Sequence, residues 1–222
     1  KKIEKILHYM ISFSAATLIA VSFFDLIPHS LKLLEKSGVH MNDSFLWVIV
    51  GIALFFLIEK LIHWHHCGKH YCKKKPFGTL ILVGDFVHNF IDGVLIAGAF
   101  MLNSLTGIAT TVTIILHEIP QEFGDFAVLL HAGIKRKKAL LLNFFSALSA
   151  VVGGILGFFV FSSIEKIMPY ATLIAAGGFL YIALSDIMPS MHKHKSKKKS
   201  FYETFIFIFT LFLFKILLEA LH

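Results

Sequence analysis

Long apolar stretches separated by short polar segments make up most of the sequence. A helix needs about 20 mostly apolar residues to cross a bilayer. Seven stretches reach that length, at about residues 10–28, 45–63, 78–101, 107–130, 139–161, 168–190 and 201–222. Because lipid offers no hydrogen-bond partners, each spanning segment is expected to be an α-helix. The pattern predicts an all-α, polytopic integral membrane bundle, with residues 1–222 forming a single domain.

Basic residues are concentrated in alternate connections between these spans. Most of the 21 Lys and Arg residues lie before the first span, or between the second and third, fourth and fifth, and sixth and seventh spans. Cytosolic loops carry such an excess. We therefore expect a cytosolic start, an extracytoplasmic C-terminus and a prokaryotic inner membrane. The lipid bilayer thus accounts for the net charge of +7, and no nucleic-acid partner is expected.

A segment rich in histidine and cysteine lies in the predicted cytosolic loop 63–76. Its candidate ligands are His63, His65, His66, Cys67, His70 and Cys72. Cytosolic thiols stay reduced, so a disulfide is not expected. Imidazole and thiolate groups suit zinc and neighbouring metals, although the spacing matches no closed site. Two interpretations stay open, a loose metal-handling loop and a solvated basic loop.

Two span ends share a short motif. The first span ends with Asp25-Leu26-Ile27-Pro28 and the sixth with Asp186-Ile187-Met188-Pro189. The charge pattern places these ends on opposite faces of the membrane, which indicates an inverted-topology repeat. If the sixth span is the second helix of a three-helix repeat, so is the first. A further helix is then expected before Lys1.

The third and fourth spans carry ionisable groups, which are costly in a bilayer and usually functional. These groups and their polar neighbours are Asp85, His88, Asn89 and Asp92 on the third span, and His117, Glu118, Gln121, Glu122 and Asp125 on the fourth. The connection near residues 102–106 is short, so the two spans form an antiparallel hairpin. Helical rise places the central groups of both sets about 15 to 23 Å from that connection. They therefore lie side by side near the bilayer centre.

Imidazole, carboxylate and amide groups at one depth predict a mixed nitrogen and oxygen metal site. Such a site suits Zn²⁺, Fe²⁺, Mn²⁺ or Cd²⁺ better than Mg²⁺ or Ca²⁺. Asp92 with Glu122 or Glu118 could bridge a second ion. Pro120 frees the carbonyl of Leu116 from its helical hydrogen bond and bends the span, as a permeation path would require. The alternative is a polar network that only ties the helices together.

At these residues the sequence resembles the Zrt/Irt-like (ZIP) family of divalent metal transporters. The resemblance rests on His88-Asn89-Phe90-Ile91-Asp92-Gly93 and on His117-Glu118-Ile119-Pro120-Gln121-Glu122-Phe123-Gly124-Asp125 in consecutive spans. It implies eight spans with external termini in a 3+2+3 inverted-repeat arrangement. It also implies transport toward the cytosol by alternating access, and a homodimer.

The resemblance further implies which residues form the transport site. These are His88, Asn89, Asp92, His117, Glu118 and the position of Gln121. The family more often has His or Glu where Gln121 stands, so either Glu122 compensates or the ion preference shifts. Asp25 and Asp186 correspond to polar positions near the pathway mouths, or are helix-end residues, and Asp85 and Asp125 are accessory candidates.

We interpret the chain as a transporter and not an enzyme, with zinc as its substrate and no organic cofactor. Its primary ligands would be His88, Asp92, His117 and Glu118, with Asn89, Gln121 and Glu122 in support. An intramembrane zinc protease is the first alternative, but its metal helix requires a second His four residues after His117, where Gln121 stands. A metal sensor without flux is the second alternative.

Overall fold

The computed structural model describes residues 2–66, 77–164, 166–191 and 197–221, and every regular element in those ranges is helical. The α-helices are α1 (Lys2–Val21), α2 (Ile27–Lys36), α3 (Met41–His66), α4 (Phe77–Leu102), α5 (Ser104–His131), α6 (Arg136–Ala147), α7 (Ser149–Ile164), α8 (Met168–Tyr181), α9 (Met188–Met191) and α10 (Lys197–Leu221). π-helical turns at Ser22–Leu26 and Ile182–Ile187 join α1 to α2 and α8 to α9. Only Leu148 separates α6 from α7.

Six of these helical rods are long and apolar enough to cross a membrane. Within the described ranges they are Ile6–Lys36, Met41–Leu61, Gly78–Met101, Arg136–Val160, Met168–Met191 and Lys197–Leu218. The remaining long helix, α5, has 28 residues and carries the polar groups of the fourth predicted span. The predicted all-α polytopic membrane bundle is confirmed.

Two predicted boundaries were wrong. The first rod does not end at Pro28 but continues to Lys36, because Pro28 lies in the first turn of α2, where no backbone donor is needed. Helix α3 extends through His66, so His63, His65 and His66 lie in its last turns and not in a loop. No proline occurs between Met41 and His66 to stop the helix.

Each of the two rods that carry an Asp-x-x-Pro motif packs against a helix from the other half of the chain. Asp25 lies in the first π-helical turn and Asp186 in the second. Helix α3 follows the first turn and packs along α8, while α10 follows the second turn and packs along α1. The rod with the first motif thus packs against α10, which follows the second motif. The rod with the second motif packs against α3, which follows the first. The packing thus relates the two motif-bearing rods to each other, and the inverted direction of the repeat stays a prediction.

The rod formed by α6 and α7 runs parallel to α4 in close backbone contact. Ser146 and Ser149 donate hydrogen bonds to the carbonyl oxygens of Leu82 at 3.2 Å and Phe86 at 2.7 Å. Further along, a Cβ atom on Gly93 would lie 1.9 Å from the carbonyl oxygen of Ala150. Small residues therefore set the distance between these helices.

The surface of the bundle is apolar, and several ionisable groups lie in its interior. Leu105, Phe159 and Phe201 are exposed by 78%, 74% and 68%, whereas Asp85 and His88 are buried. Apolar side chains facing outward and ionisable groups facing inward are the arrangement expected in lipid. The interior polar groups therefore define where the chemistry of the protein lies.

Candidate metal site

The hairpin of α4 and α5 brings the two polar stripes together. The side chain of Asn103 accepts a hydrogen bond from the backbone amide of Thr106 at 2.8 Å and caps the start of α5. A chain reversal of this kind places residues at equal distance from the turn opposite each other. The predicted side-by-side placement of the two sets is what the structure shows.

Four side chains converge into one group, which we call the four-residue cluster: His88, Asp92, His117 and Glu118. His88 Nε2 lies 3.1 Å from Glu118 Oε1 and 3.6 Å from Asp92 Oδ2. His117 Nε2 lies 3.3 Å from Asp92 Oδ2 and 3.8 Å from Glu118 Oε1. The cluster is able to offer one donor atom from each residue to a metal ion.

Four of the six distances between these donor atoms are close to the edge length of a tetrahedral zinc site. Zinc binds nitrogen and oxygen at about 2.0 to 2.1 Å, so ligand atoms at neighbouring corners of the tetrahedron are about 3.3 Å apart. The four contacts of 3.1, 3.3, 3.6 and 3.8 Å fall around that value. All four donor atoms lie within 4.8 Å of one another, so one ion could contact each of them.

Burial adds a second argument for a cation at this position. His88, Asp92 and His117 are 1%, 3% and 3% exposed. Among the described residues, Nδ1 of His88 has no hydrogen-bond partner, and its Nε2 faces carboxylate oxygens of Glu118 and Asp92. Buried polar atoms need partners, and a metal ion bound between Nε2 of His88 and these two carboxylates would be a partner for all three groups.

A second group of carboxylates adjoins the first, and we call it the acidic cluster: Asp85, Glu118 and Glu122. It also is able to offer three donor atoms to one ion. The amide nitrogen of Asn89 donates to Asp85 Oδ1 at 2.7 Å and to its backbone oxygen at 3.1 Å. Asn89 therefore holds Asp85, and Glu118 belongs to both clusters.

Asn143 on α6 is a site residue that the sequence did not single out. Its amide nitrogen donates to the backbone oxygen of Glu122 at 3.0 Å and to the carboxylate of the same residue. The available signal was one amide side chain within an otherwise apolar predicted span. Asn143 fixes Glu122 from outside the α4–α5 hairpin.

Gln121 and Asp125 lie on the buried face of α5. Each is 1% exposed. Neither polar atom of Gln121 has a hydrogen-bond partner in the described part of the chain. The carboxyl group of Asp125 lies beside that of Asp85, which places it next to the acidic cluster.

The two motif aspartates have different surroundings. Asp25 Oδ2 lies 3.7 Å from His117 Nδ1. It also lines a cavity of about 210 Å³ that includes His29, Thr110, Asp92 and His117. Asp186 instead lies near Glu59 of α3. The carboxylate of Glu59 accepts a hydrogen bond of 2.5 Å from the Tyr181 hydroxyl.

The predicted histidine- and cysteine-rich loop is only partly covered by the structure. The backbone of His63, His65 and His66 is helical. Cys67, His70 and Cys72 fall outside the described residues. Metal handling by this segment stays a prediction.

Comparison with known proteins decides the family. The family model for the ZIP zinc transporter matches residues 64–217. This chain belongs to the ZIP zinc transporter family. The matched part of the ZIP chain contains both clusters, and the family resemblance inferred from the two motifs is confirmed.

Individual ZIP relatives match shorter or longer parts of the chain. Zinc transporter ZIP4 of Homo sapiens is 46% identical over 114 residues, covering 51% of this chain and 18% of the relative. Zinc transporter ZIP10 of Danio rerio is 43% identical over 112 residues, covering 50% of this chain and 13% of the relative. Zinc transporter ZIP13 of Pongo abelii is 31% identical over 206 residues, covering 87% of this chain and 61% of the relative. The ZIP chain therefore spans less than two thirds of each of these relatives.

The names of these relatives also bear on the class of protein. All three are called zinc transporters, and none is called an enzyme. Family and apolar helices together support an integral membrane protein. The three relatives come from vertebrates, and the prokaryotic inner membrane and the orientation of the termini stay predictions.

Proposed function

We propose that this chain forms the membrane domain of a transporter that carries zinc toward the cytosol through the four-residue cluster. The observation that supports this most is the spacing of the four donor atoms, 3.1 to 3.8 Å, between two adjacent helices of a membrane bundle. The relatives named zinc transporters support zinc as the substrate.

The charges of the proposed ligands suit an ion that must lie in a medium of low dielectric constant. Two neutral imidazoles bring no charge, and the carboxylates of Asp92 and Glu118 bring one negative charge each. A bound Zn²⁺ is then neutralised by its own ligands. Because an uncompensated buried charge is strongly unfavourable, this balance supports the cluster as the transport site.

The acidic cluster is proposed to hold a second ion or to receive the first. Glu118 would bridge the two positions, with Asp85 and Glu122 as the further ligands. Asn89 and Gln121 would take supporting roles, since Asn89 restrains Asp85 at 2.7 Å. Fe²⁺, Mn²⁺ and Cd²⁺ are alternative ions for the same donor set.

The proposed topology gives the order of the groups along the pathway. With a cytosolic chain start and an extracytoplasmic C-terminus, the cavity lined by Asp25, His29 and Thr110 opens from the outside. The four-residue cluster lies next to it, and Asp85 lies closer to the cytosolic start of α4. An entering ion would meet these groups in that order. Alternating access, a 3+2+3 repeat with a further helix and a homodimer complete the proposal.

Zinc uptake into proteoliposomes tests this function. Wild type is compared with the His88→Ala/His117→Ala double variant, and with His40→Ala, which removes an exposed imidazole. We expect saturable uptake for wild type and His40→Ala, and none for the double variant. Competition with Fe²⁺, Mn²⁺ and Cd²⁺ then ranks the ions. If wild type binds zinc through these histidines but moves none, the chain is a sensor and the transport proposal fails.

A further inference from the structure

The imidazole of His117 faces acidic groups on both of its nitrogens. Its Nε2 lies 3.3 Å from Asp92 Oδ2 and 3.8 Å from Glu118 Oε1. Its Nδ1 lies 3.7 Å from Oδ2 of Asp25, a residue of the π-helical turn that joins α1 to α2. The Nδ1 atom has no hydrogen-bond partner among the described residues. Asp25 thus approaches the ring from the side opposite to the proposed ion.

The π-helical turn explains how Asp25 is presented to α5. A π-helical turn changes the direction of the side chains relative to a regular helix, and such turns are frequent at functional sites. The hydroxyl of Ser22, in the same turn, donates to the carbonyl oxygens of Leu18 at 2.8 Å and Ala176 at 3.3 Å. The turn is thereby tied to α8. Asp25 is 8% exposed, so its carboxylate is held in the interior.

Resting on the metal site proposed above, we infer that Asp25 is a positioning residue that selects the metal-binding tautomer of His117. A neutral imidazole carries one N–H donor and one lone pair. A carboxylate beside Nδ1 favours the proton there and leaves the lone pair of Nε2 free for zinc. The same contact orients the ring and makes Nε2 a stronger donor.

The present distance fits this role with one small adjustment. A hydrogen bond requires about 2.7 to 3.2 Å between the heavy atoms, so the contact of 3.7 Å closes with a shift of roughly 1 Å. An ion on Nε2 draws electron density from the ring and makes Nδ1–H a better donor. Metal binding and closure of this contact therefore favour each other.

The second histidine of the cluster has different surroundings. The ring of His88 packs edge-on against Phe179, with ring centroids 5.3 Å apart. Its Nδ1 is buried without a hydrogen-bond partner among the described residues. The two histidines are thus unequal, and carboxylate support is a property of His117.

Zinc binding by the full chain in lipid nanodiscs tests the inference. The affinity is measured by competition with a chromophoric chelator for wild type, Asp25→Asn and the control Asp43→Asn, which removes an exposed carboxylate of α3. Because loss of a supporting carboxylate weakens metal binding by about 10- to 100-fold, we expect at least a tenfold loss for Asp25→Asn and no change for Asp43→Asn. An affinity of Asp25→Asn equal to wild type would overturn the inference.

A double-mutant cycle separates positioning from direct ligation. If Asp25 acts through His117, Asp25→Asn has no further effect in a His117→Ala background. An equal loss in both backgrounds means that Asp25 binds zinc itself, which contradicts the inference. As a second readout, the ¹⁵N spectrum of histidine-labelled, zinc-loaded protein should show protonated Nδ1 of His117, with a signal that moves in Asp25→Asn. If Asp25→Asn and His117→Ala are coupled in zinc binding but the wild type shows no zinc uptake, the proposed transport is refuted and the inference about Asp25 still holds.

Discussion

Glu118 Oε1 lies 3.1 Å from His88 Nε2, and Glu118 is also the residue that the four-residue cluster shares with the acidic cluster. A shared carboxylate is the shortest connection between two ion positions, because an ion is able to move from one to the other without losing this ligand. Glu118 therefore links the ion position of the four-residue cluster to the position proposed in the acidic cluster.

Replacing this shared carboxylate should affect both positions at once. For Glu118→Gln we expect zinc affinity to fall about 100-fold, at the upper end of the range for lost supporting groups, since a ligand itself is removed. Zinc titration with determination of bound ions per chain measures the effect. Glu35→Gln, an exposed change in α2, is the control. Unchanged affinity and stoichiometry would contradict a bridging role.

Zinc should stabilise the folded bundle against heat. The four donor groups come from two helices, so an ion bound to the native state raises its stability by about 2.7 kcal/mol when zinc is present at 100 times its Kd. Thermal unfolding in detergent, with and without a chelator, measures this shift. The His88→Ala/His117→Ala variant should show no shift on adding zinc, and an equal shift in both proteins would place the stabilising ion elsewhere.

Asn143 should affect the acidic cluster more than the four-residue cluster. Its amide restrains Glu122 through both the backbone oxygen and the carboxylate. Asn143→Ala is expected to weaken the second zinc about tenfold, as loss of a supporting hydrogen bond does, and to leave the first unchanged. Asn42→Ala, at an exposed amide, is the matched control. Calorimetric titration resolves the two binding events, and equal weakening of both would argue against separate positions.

The contact between α4 and α7 should not tolerate an added methyl group at its centre. A Cβ on Gly93 would lie 1.9 Å from the carbonyl oxygen of Ala150, whereas a Cβ on Gly154 would lie 3.6 Å from that of Gly93. Overpacking costs about 1 to 3 kcal/mol, so Gly93→Ala should lower the free energy of unfolding by that amount. Gly154→Ala should leave it unchanged or raise it by up to about 1 kcal/mol, because Ala is the better helix former. Equal effects in thermal or denaturant unfolding would contradict this account.

The sequence was sufficient to bring the two polar sets of α4 and α5 to one depth, and the family resemblance selected four of these residues as primary ligands. Helical periodicity fixes which face a residue occupies, and the short connection between α4 and α5 fixes its depth. Asp92 could therefore be placed level with His117, and His88 level with Gln121, before any packing was known. Asn143 could not, because the rotation of a distant helix about its axis depends on tertiary contacts such as those of Ser146 and Ser149 with α4.

Helix ends were harder to predict than the site. Pro28 is typical of a boundary, but the π-helical turn before it lets the rod continue to Lys36. The same turn brings Asp25 to His117, a contact that regular helical geometry does not reveal. The shared Asp-x-x-Pro motif pointed to the place, although its local conformation became visible only in the structure.

The glycine contacts also have a mechanical consequence. Gly93 meets the backbone of α7, and Cβ atoms on Gly51 and Gly177 would lie 2.2 Å from the carbonyl oxygens of Ile174 and Val48, so α3 and α8 are equally close. Helices in such contact cannot slide past each other without lifting apart. We expect α4 with α7, and α3 with α8, to move as two rigid helix pairs. Movement of the proposed pathway is therefore expected outside these two pairs, for example where Asp25 approaches His117 at 3.7 Å.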